Sequence, residues 1–312
     1  MATYLITGGA GFIGSHLADS LFEAGHAVRV LDDLSTGSRA NLQPGIELHV
    51  GKAEDAALFA AVAEGVDGIF HLAAVASVQA SVDDWLGTHA ANLTATVTAL
   101  DAARRANANG PVPVVYASSA AIYGDNPNVP LQESEKANPL SAYAADKYGS
   151  EMHAQVASHL FNVPTTGFRF FNIYGPRQNP SSPYSGVISI FADRFSRGQG
   201  VTIFGDGEQS RDFVYVADVV RSLRAAMEAP SGSARVLNIA RGEQTSVNTL
   251  AKTLARYFNI EAEIAYADAR AGDIRHSAGD PSALQETLGV RAETTLDEGL
   301  RNLTDWLKSA DN

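Results

Sequence analysis

The chain contains no cysteine. Disulfide cross-links, thiol nucleophiles and cysteine-bound metal are therefore excluded, and nothing calls for an oxidising compartment. No uninterrupted apolar run approaches the ~20 residues of a membrane span. A basic start and apolar core of the secretory kind are also missing, since Met1-Ala2-Thr3 leads straight into Tyr4-Leu5-Ile6-Thr7. A cytoplasmic protein is expected. The eight histidines form no HxxxH-like pair, so no metal site is expected either. Basic residues are in deficit, 23 Lys and Arg against 35 Asp and Glu, for a net charge of −12. Such a surface argues against nucleic-acid or anionic-membrane partners and favours solubility. Internal repeats and low-complexity tracts are absent.

What is present is an ordinary globular composition, 45% hydrophobic and 19% charged over 312 residues, long enough for roughly two domains. In the first half, short apolar runs alternate with helical patterns. Thr3–Thr7, Ala27–Leu31, Ile46–Val50, Gly68–Leu72 and Val112–Ala117 read as strands. Ile13–Ala24, Ala53–Ala63, Asp83–Ala106 and Ala142–Leu160 read as helices. Thr165–Phe170 supplies a sixth strand and Arg235–Ile239 a candidate seventh. Strands alternating with helices imply a parallel sheet covered on both faces. After Gly175 the pattern changes. Pro176–Ser185 reads as a loop, Val187–Ser196 as a helix, Val201–Phe204 as a short strand, and Ser246–Tyr257 and Leu296–Ser309 as amphipathic helices. No long linker separates the halves, so packed domains with a cleft between them are expected.

Gly8-Gly9-Ala10-Gly11-Phe12-Ile13-Gly14 joins the first strand to the first helix. Glycines there allow a tight turn, a close approach of backbone to a pyrophosphate, and close packing of helix on strand. The helix N-terminus then faces the anion with free N–H groups. Asp32 ends the second strand 18 residues after Gly14, placed to accept hydrogen bonds from the adenosine ribose and to repel the extra phosphate of NADP. Arg39 lies near enough to reach such a phosphate, which leaves that choice open. Further on, Tyr143 and Lys147 sit four apart on one helical face, and Ser118-Ser119 closes the fifth strand. Taken alone, each of these is commonplace; their order along the chain is not.

With these motifs the chain resembles the extended short-chain dehydrogenase/reductase family, in its nucleotide-sugar epimerase and dehydratase branch. The markers run nearly the full length: GGAGFIG at 8–14, LDDLSTG at 31–37, HLAA at 71–74, SSAAIYG at 118–124, YAADK at 143–147, FRFFNIYGPRQ at 168–178, FGDGEQSRDFVYVADV at 204–219 and RAGDIRHS at 270–277. The resemblance implies an α/β fold. Residues 1–170 with about 213–240 would form a Rossmann-like, doubly wound parallel sheet that binds NAD. A smaller α/β substrate domain would come from about 171–212 and 241–312.

It also implies roles. Tyr143 would be the general base, which near neutral pH requires lowering a pKa of ~10 by about three pH units, roughly 4 kcal/mol. Lys147 would favour that phenolate and bind the nicotinamide ribose, and Ser119 would hold the same sugar hydroxyl. Gly8, Gly11, Phe12, Ile13, Gly14, Asp32 and Asn92 would contact NAD, though a helix-surface amide is an equal reading of Asn92. Asn172, Arg211, Arg270, Asp273 and Ser277 would meet the nucleotide sugar. Here an arginine fork suits phosphate oxygens, although any single arginine can equally be a solvated ion pair. His71 reads as structural, and His276 lies beside Asp273. Many relatives carry an aspartate against the adenine where this chain has Lys52, so that contact is open.

Dehydratases of the branch carry an Asp-Glu pair after the catalytic Ser/Thr; here the positions are Ala120 and Ala121, which cannot move a proton. The resemblance then implies 4-epimerisation of a UDP-sugar through a 4-keto intermediate on retained NAD. Ser277 replaces a bulky tyrosine found in stricter relatives, and NPSSPYSGVISIF at 179–191 resembles enzymes that accept N-acetylated sugars. Alternatives are a UDP-uronic acid epimerase or decarboxylase, a dTDP-sugar enzyme, and a non-catalytic NAD-binding regulator. A homodimer through the helices Asp83–Ala106 and Ala142–Leu160 is a further family expectation.

Overall fold

The computed structural model describes residues 1–180, 186–261, 263–269 and 274–310. Its centre is a seven-stranded sheet in which every pairing is parallel. In chain order, β1 (Thr3–Thr7), α1 (Phe12–Glu23), β2 (Ala27–Asp32), β3 (Glu47–Val50), α2 (Ala56–Ala63) and β4 (Gly68–His71) come first. They are followed by α3 (Val78–Asp83), α4 (Trp85–His89), α5 (Ala95–Ala103), β5 (Val114–Ser119), α6 (Ala142–Phe161) and β6 (Thr165–Phe170). Next come β7 (Asn172–Tyr174), α7 (Val187–Ser196), β8 (Val201–Phe204), β9 (Ser210–Arg211), β10 (Phe213–Tyr215), α8 (Val216–Glu228) and β11 (Arg235–Ile239). The chain closes with β12 (Thr245–Ser246), α9 (Val247–Tyr257), β13 (Ile264–Ala267), β14 (His276–Ser277), α10 (Ser282–Leu288) and α11 (Leu296–Ala310). The sheet order is β3-β2-β1-β4-β5-β6-β11.

Period-two alternation explains the layering. Leu5, Ile69, Val114 and Tyr116 point to the face covered by α2, α5 and α6, where Phe59, Val62, Ala99 and Ala154 meet them. Their neighbours Ile6, Phe70 and Val115 point to the other face, against Leu17 and Leu21 of α1 and Val219 and Leu223 of α8. Both faces are thus buried, as an all-parallel sheet requires. The order reverses between β1 and β4, which opens a crevice at the carboxyl ends of those strands. A separate apolar cluster gathers Phe191 and Phe195 of α7, Ile203 of β8, Leu250 and Leu254 of α9, and Leu300 and Leu303 of α11.

Several expected boundaries move, each for a local reason. The helix read as Ala53–Ala63 starts at Ala56, because the Asp55 carboxylate caps the Ala57 and Leu58 N–H groups at 3.0 and 3.1 Å. The helix read as Asp83–Ala106 is broken at Asp84, which leaves helical geometry and caps Gly87 at 3.0 Å. From Trp85 the chain continues through a π-helical turn, Ala90–Thr94, and ends at Ala103. The fifth strand is Val114–Ser119 rather than Val112–Ala117, and Ser119 is its last residue, as expected of a strand-end serine. Helix α6 keeps its expected start, capped by Ser141, and ends one residue later than expected, at Phe161, with Asn162 as a left-handed C-cap. Helices α3, α8 and α10, strand β13 and the strands of two or three residues after β6 were not anticipated. No helix among the described residues is long and apolar enough to cross a membrane.

Candidate active site

A cleft of about 430 Å³ follows the crevice from the glycine loop to the ends of β5 and β6. Gly8 adopts φ +68°, and a β-carbon there would lie 2.7 Å from the Ala73 nitrogen. At Gly14 it would lie 2.1 Å from the Gly8 carbonyl oxygen. Only glycine lets the start of α1 rest directly on the loop before it. Gly11 caps α1 without a side-chain bond, so the first N–H groups of the helix remain available to an anion. Gly8, Gly11, Phe12, Ile13, Gly14 and Asp32 all line the cleft.

Asp32 also buckles the loop. Its two oxygens accept the N–H groups of Ala10 and Leu34, both at 2.9 Å. Burial raises its pKa and these backbone donors pull it back. At this end the cleft is lined by Asp33, Ser35, Gly51, Ala53 and Glu54 rather than by Arg39 or Lys52. Lys52 points outward to Glu54 at 3.6 Å. Three carboxylates, Asp32, Asp33 and Glu54, and no arginine in this lining disfavour an extra phosphate.

At the other end, Ser119, Tyr143 and Lys147 come together on the cleft wall. Lys147 is buried and donates to the Ala117 carbonyl at 2.9 Å. The Ser119 and Tyr143 hydroxyls share a hydrogen bond, while Ser119 Oγ accepts the Ala121 N–H at 3.1 Å. Asn172 opens β7 on the same wall. Arg211 and Ser277 lie elsewhere, as register partners on the three-stranded sheet β12-β9-β14. There the His276 Nδ1 meets Ser210 Oγ at 2.8 Å. Arg270, Asp273 and residues 181–185 lie outside the described residues.

Asn92 is neither on the helix surface nor on the cleft wall. It is fully buried in the π-helical turn, where its amide accepts the Val75 N–H at 2.9 Å and donates to the Val75 carbonyl at 3.3 Å. It therefore reaches the cleft through Val75, which lines it. Several residues escaped the sequence reading, among them Gln178 and Asp212. Gln178 lines the cleft. Asp212 is fully buried, and its carboxylate takes the N–H groups of Arg241 and Gly242 at 2.9 Å and Gly279 at 3.3 Å. Its own carbonyl accepts the Asn172 N–H at 3.0 Å. A carboxylate between Arg211 and the apolar Phe213-Val214 was the available signal, since such a charge needs partners.

Comparison with known proteins agrees with this geometry. The NAD dependent epimerase/dehydratase family matches residues 4–240. The chain belongs to this family. It is 36% identical over 312 residues to the UDP-glucose 4-epimerase of Mycolicibacterium smegmatis, with 98% of each chain covered. The UDP-glucose 4-epimerase of Thermotoga maritima, solved with UDP-glucose, superposes with a TM-score of 0.94 at 36% identity, covering 99% of this chain and 100% of that one. The UDP-N-acetylglucosamine 4-epimerase of Methanobrevibacter ruminantium, solved with UDP-N-acetylmuramic acid, gives 0.93 at 34% identity, with 99% of each chain covered.

The residues fit the family's NAD. The glycine cradle is one that a single β-carbon at Gly8 or Gly14 would fill, and Asp32 lies in the lining where the adenosine ribose would sit. The electrostatics at the far end are instructive. Burial pushes the Tyr143 hydroxyl above its ordinary value, opposed by the Ser119 hydrogen bond. Burial pulls Lys147 down to about 8, and the neighbouring Asp146 opposes this. His71 is held neutral at about 3 by burial and by Lys147, and is hydrogen-bonded to Thr7 Oγ1 at 2.8 Å. In the protein alone, burial therefore favours the neutral Tyr143 hydroxyl. A cation beside the phenol is needed to shift that balance. The ultraviolet phenolate signal of Tyr143, isolated by subtracting Tyr143→Phe, is expected to titrate above the ordinary tyrosine range in protein stripped of NAD. It is expected at lower pH with NAD bound. A titration unmoved by NAD would contradict the arrangement.

Proposed function

We propose that the protein is a UDP-sugar 4-epimerase that interconverts UDP-glucose and UDP-galactose, and UDP-GlcNAc and UDP-GalNAc, on retained NAD. The observation that carries the reading is Ser119, Tyr143 and Lys147 at the end of a dinucleotide cleft, followed by Ala120 and Ala121. When bound, NAD supplies a hydride acceptor at C4 that can return what it takes. Everything else falls to the chain. Tyr143 takes the proton from the sugar 4-hydroxyl and gives it back. Ser119, whose Oγ already accepts the Ala121 N–H, keeps its own proton for a bond to that sugar oxygen or to Tyr143. Lys147 holds a positive charge next to the phenolate. Ala120 and Ala121 offer no carboxyl to carry a proton between C5 and C6, so the keto sugar is not dehydrated.

In the same reading Asn172, Arg211, Arg270 and Asp273 hold the nucleotide sugar, and residues about 171–212 and 241–312 form its domain. Ser277 leaves room for a 2-acetamido group. The relative solved with an N-acetylated UDP-sugar supports that breadth. In this reading the reaction is cytoplasmic. The protein would act as a homodimer. Val82, Trp85 and Leu86 on α3 and α4, and Leu160 on α6, are each more than 60% exposed. That is a large apolar surface for a monomer to leave in water.

The test is to incubate the purified protein, without added cofactor, with UDP-galactose and separately with UDP-GalNAc, following the anomeric protons by NMR. Conversion of both to their C4 epimers is expected. Ser277→Tyr should slow UDP-GalNAc by roughly tenfold or more while sparing UDP-galactose. Failure with both sugars, even with NAD supplied, would overturn the reading. Turnover of UDP-galactose alone would overturn its acetamido part. In sedimentation, Leu86→Glu is expected to halve the mass of a two-fold assembly; a wild-type monomer would refute the dimer.

A further inference from the structure

The last three residues of β5 are each tied to α6. The Ala117 carbonyl accepts from Lys147 Nζ at 2.9 Å, the Ser118 hydroxyl donates to Glu151 Oε1 at 2.6 Å, and Ser119 bonds to Tyr143. The first and third ties are the chemistry already described. The middle one joins Ser118, which lines the cleft, to residues that do not. Glu151 lies one helical turn beyond Lys147 and two beyond Tyr143. Its carboxylate is 2% exposed and is gripped bidentately by Arg169, with Nε to Oε1 at 3.0 Å and Nη2 to Oε2 at 2.8 Å. Arg169 stands opposite Ser118 in the β5–β6 register, so one carboxylate closes across two neighbouring strands. The remaining guanidinium nitrogen reaches the Tyr123 hydroxyl at 2.9 Å and the Glu133 carbonyl at 3.0 Å. Tyr123 in turn donates to Asn238 Oδ1 of β11 at 2.7 Å.

A buried ion pair is a poor device for stability, because desolvation offsets most of its attraction; its best-attested use is to fix a register. Here a register needs fixing. A second cavity of about 430 Å³ lies behind α6, lined by Tyr148, Glu151, Met152, Gln155 and Arg169. On this face Tyr148 packs against Ile122 and Tyr123, while Glu151, Met152 and Gln155 border open space. Neither Glu151 nor Arg169 lines the catalytic cleft, so neither touches substrate or cofactor.

We propose that Glu151, held by Arg169 and tied to Ser118, is a positioning residue that sets α6 along the end of β5 and so sets the Ser119–Tyr143 hydrogen bond and the seat of Lys147. The inference rests on the epimerase reading for its turnover measurement but not for its titration. Losing the Ser118–Glu151 tie lets α6 relax toward the rear cavity. Ser119 then stabilises the phenolate less well, and Tyr143 ionises at higher pH.

The experiment compares Glu151→Gln and the milder Ser118→Ala with wild type, all with NAD bound. Glu151→Gln is expected to lower kcat for UDP-galactose on the order of 100-fold, and Ser118→Ala on the order of tenfold, with KM changed by no more than about twofold. In both, the acid limb of the kcat profile and the Tyr143 phenolate titration are expected at higher pH. If Glu151→Gln does not fold, Ser118→Ala carries the test, since it removes one hydroxyl and leaves the ion pair. Folded variants with a lower melting temperature but wild-type kcat and an unmoved Tyr143 titration would overturn the proposal. The titration needs no turnover, so it decides the positioning claim even if UDP-galactose proves not to be a substrate.

Discussion

Lys147 is 2% exposed, and a buried ammonium is costly to hold charged. The protein offers it one carbonyl, that of Ala117, and a neighbouring carboxylate, Asp146. Burial wins that contest and leaves the amine near 8. Much of the surrounding architecture follows from keeping this group in place. The α6 helix is driven into the end of β5, and Ala154 and Ala157 farther along bury against the sheet. The Asp146 carboxylate is itself buried and held by the His89 Nδ1 at 2.7 Å, which ties α6 to α4. Marginal charge is useful in such a site. A lysine whose charge is easily given up responds to the charge of what binds next to it.

The same economy governs the cofactor end. Gly8 and Gly14 remove the side chains that would separate α1 from β1, and Asp32 replaces them with two hydrogen bonds to loop N–H groups. The loop is therefore rigid before anything binds, so little ordering is left for the ligand to impose. Asn41 adds to this by donating to the Ala10 carbonyl at 2.9 Å, and Arg177 ties the region after β7 back to α1 through Asp19 at 2.8 Å. One ion pair thus ties the helix after the glycine loop to the segment after β7.

The central layers were legible because their signals are local. Period-two runs gave the strands, glycines between a strand and a helix gave the cradle, and a tyrosine and lysine one turn apart gave the helix beside β5. What could not be read depends on partners far away in sequence. Asn92 looks like any helix amide until Val75, 17 residues earlier, is seen to use both its donor and its acceptor. Asp212 gains its meaning from Arg241, Gly242 and Gly279. The strands β9, β12 and β14 have two residues each and no periodicity to detect. Asp84 carried a readable helix-capping signal, but the apolar run on either side of it obscured the break. Lys52, which stands where many relatives carry an aspartate against the adenine, is turned outward.

The central claim is that one sugar carbon is oxidised and reduced again within a single closed site. The most direct measurement is the fate of deuterium placed at C4 of UDP-galactose during turnover in ordinary water. A hydride taken and returned on the same retained cofactor leaves the label at C4 of the UDP-glucose formed. Loss of the label to solvent during epimerisation would contradict the claim.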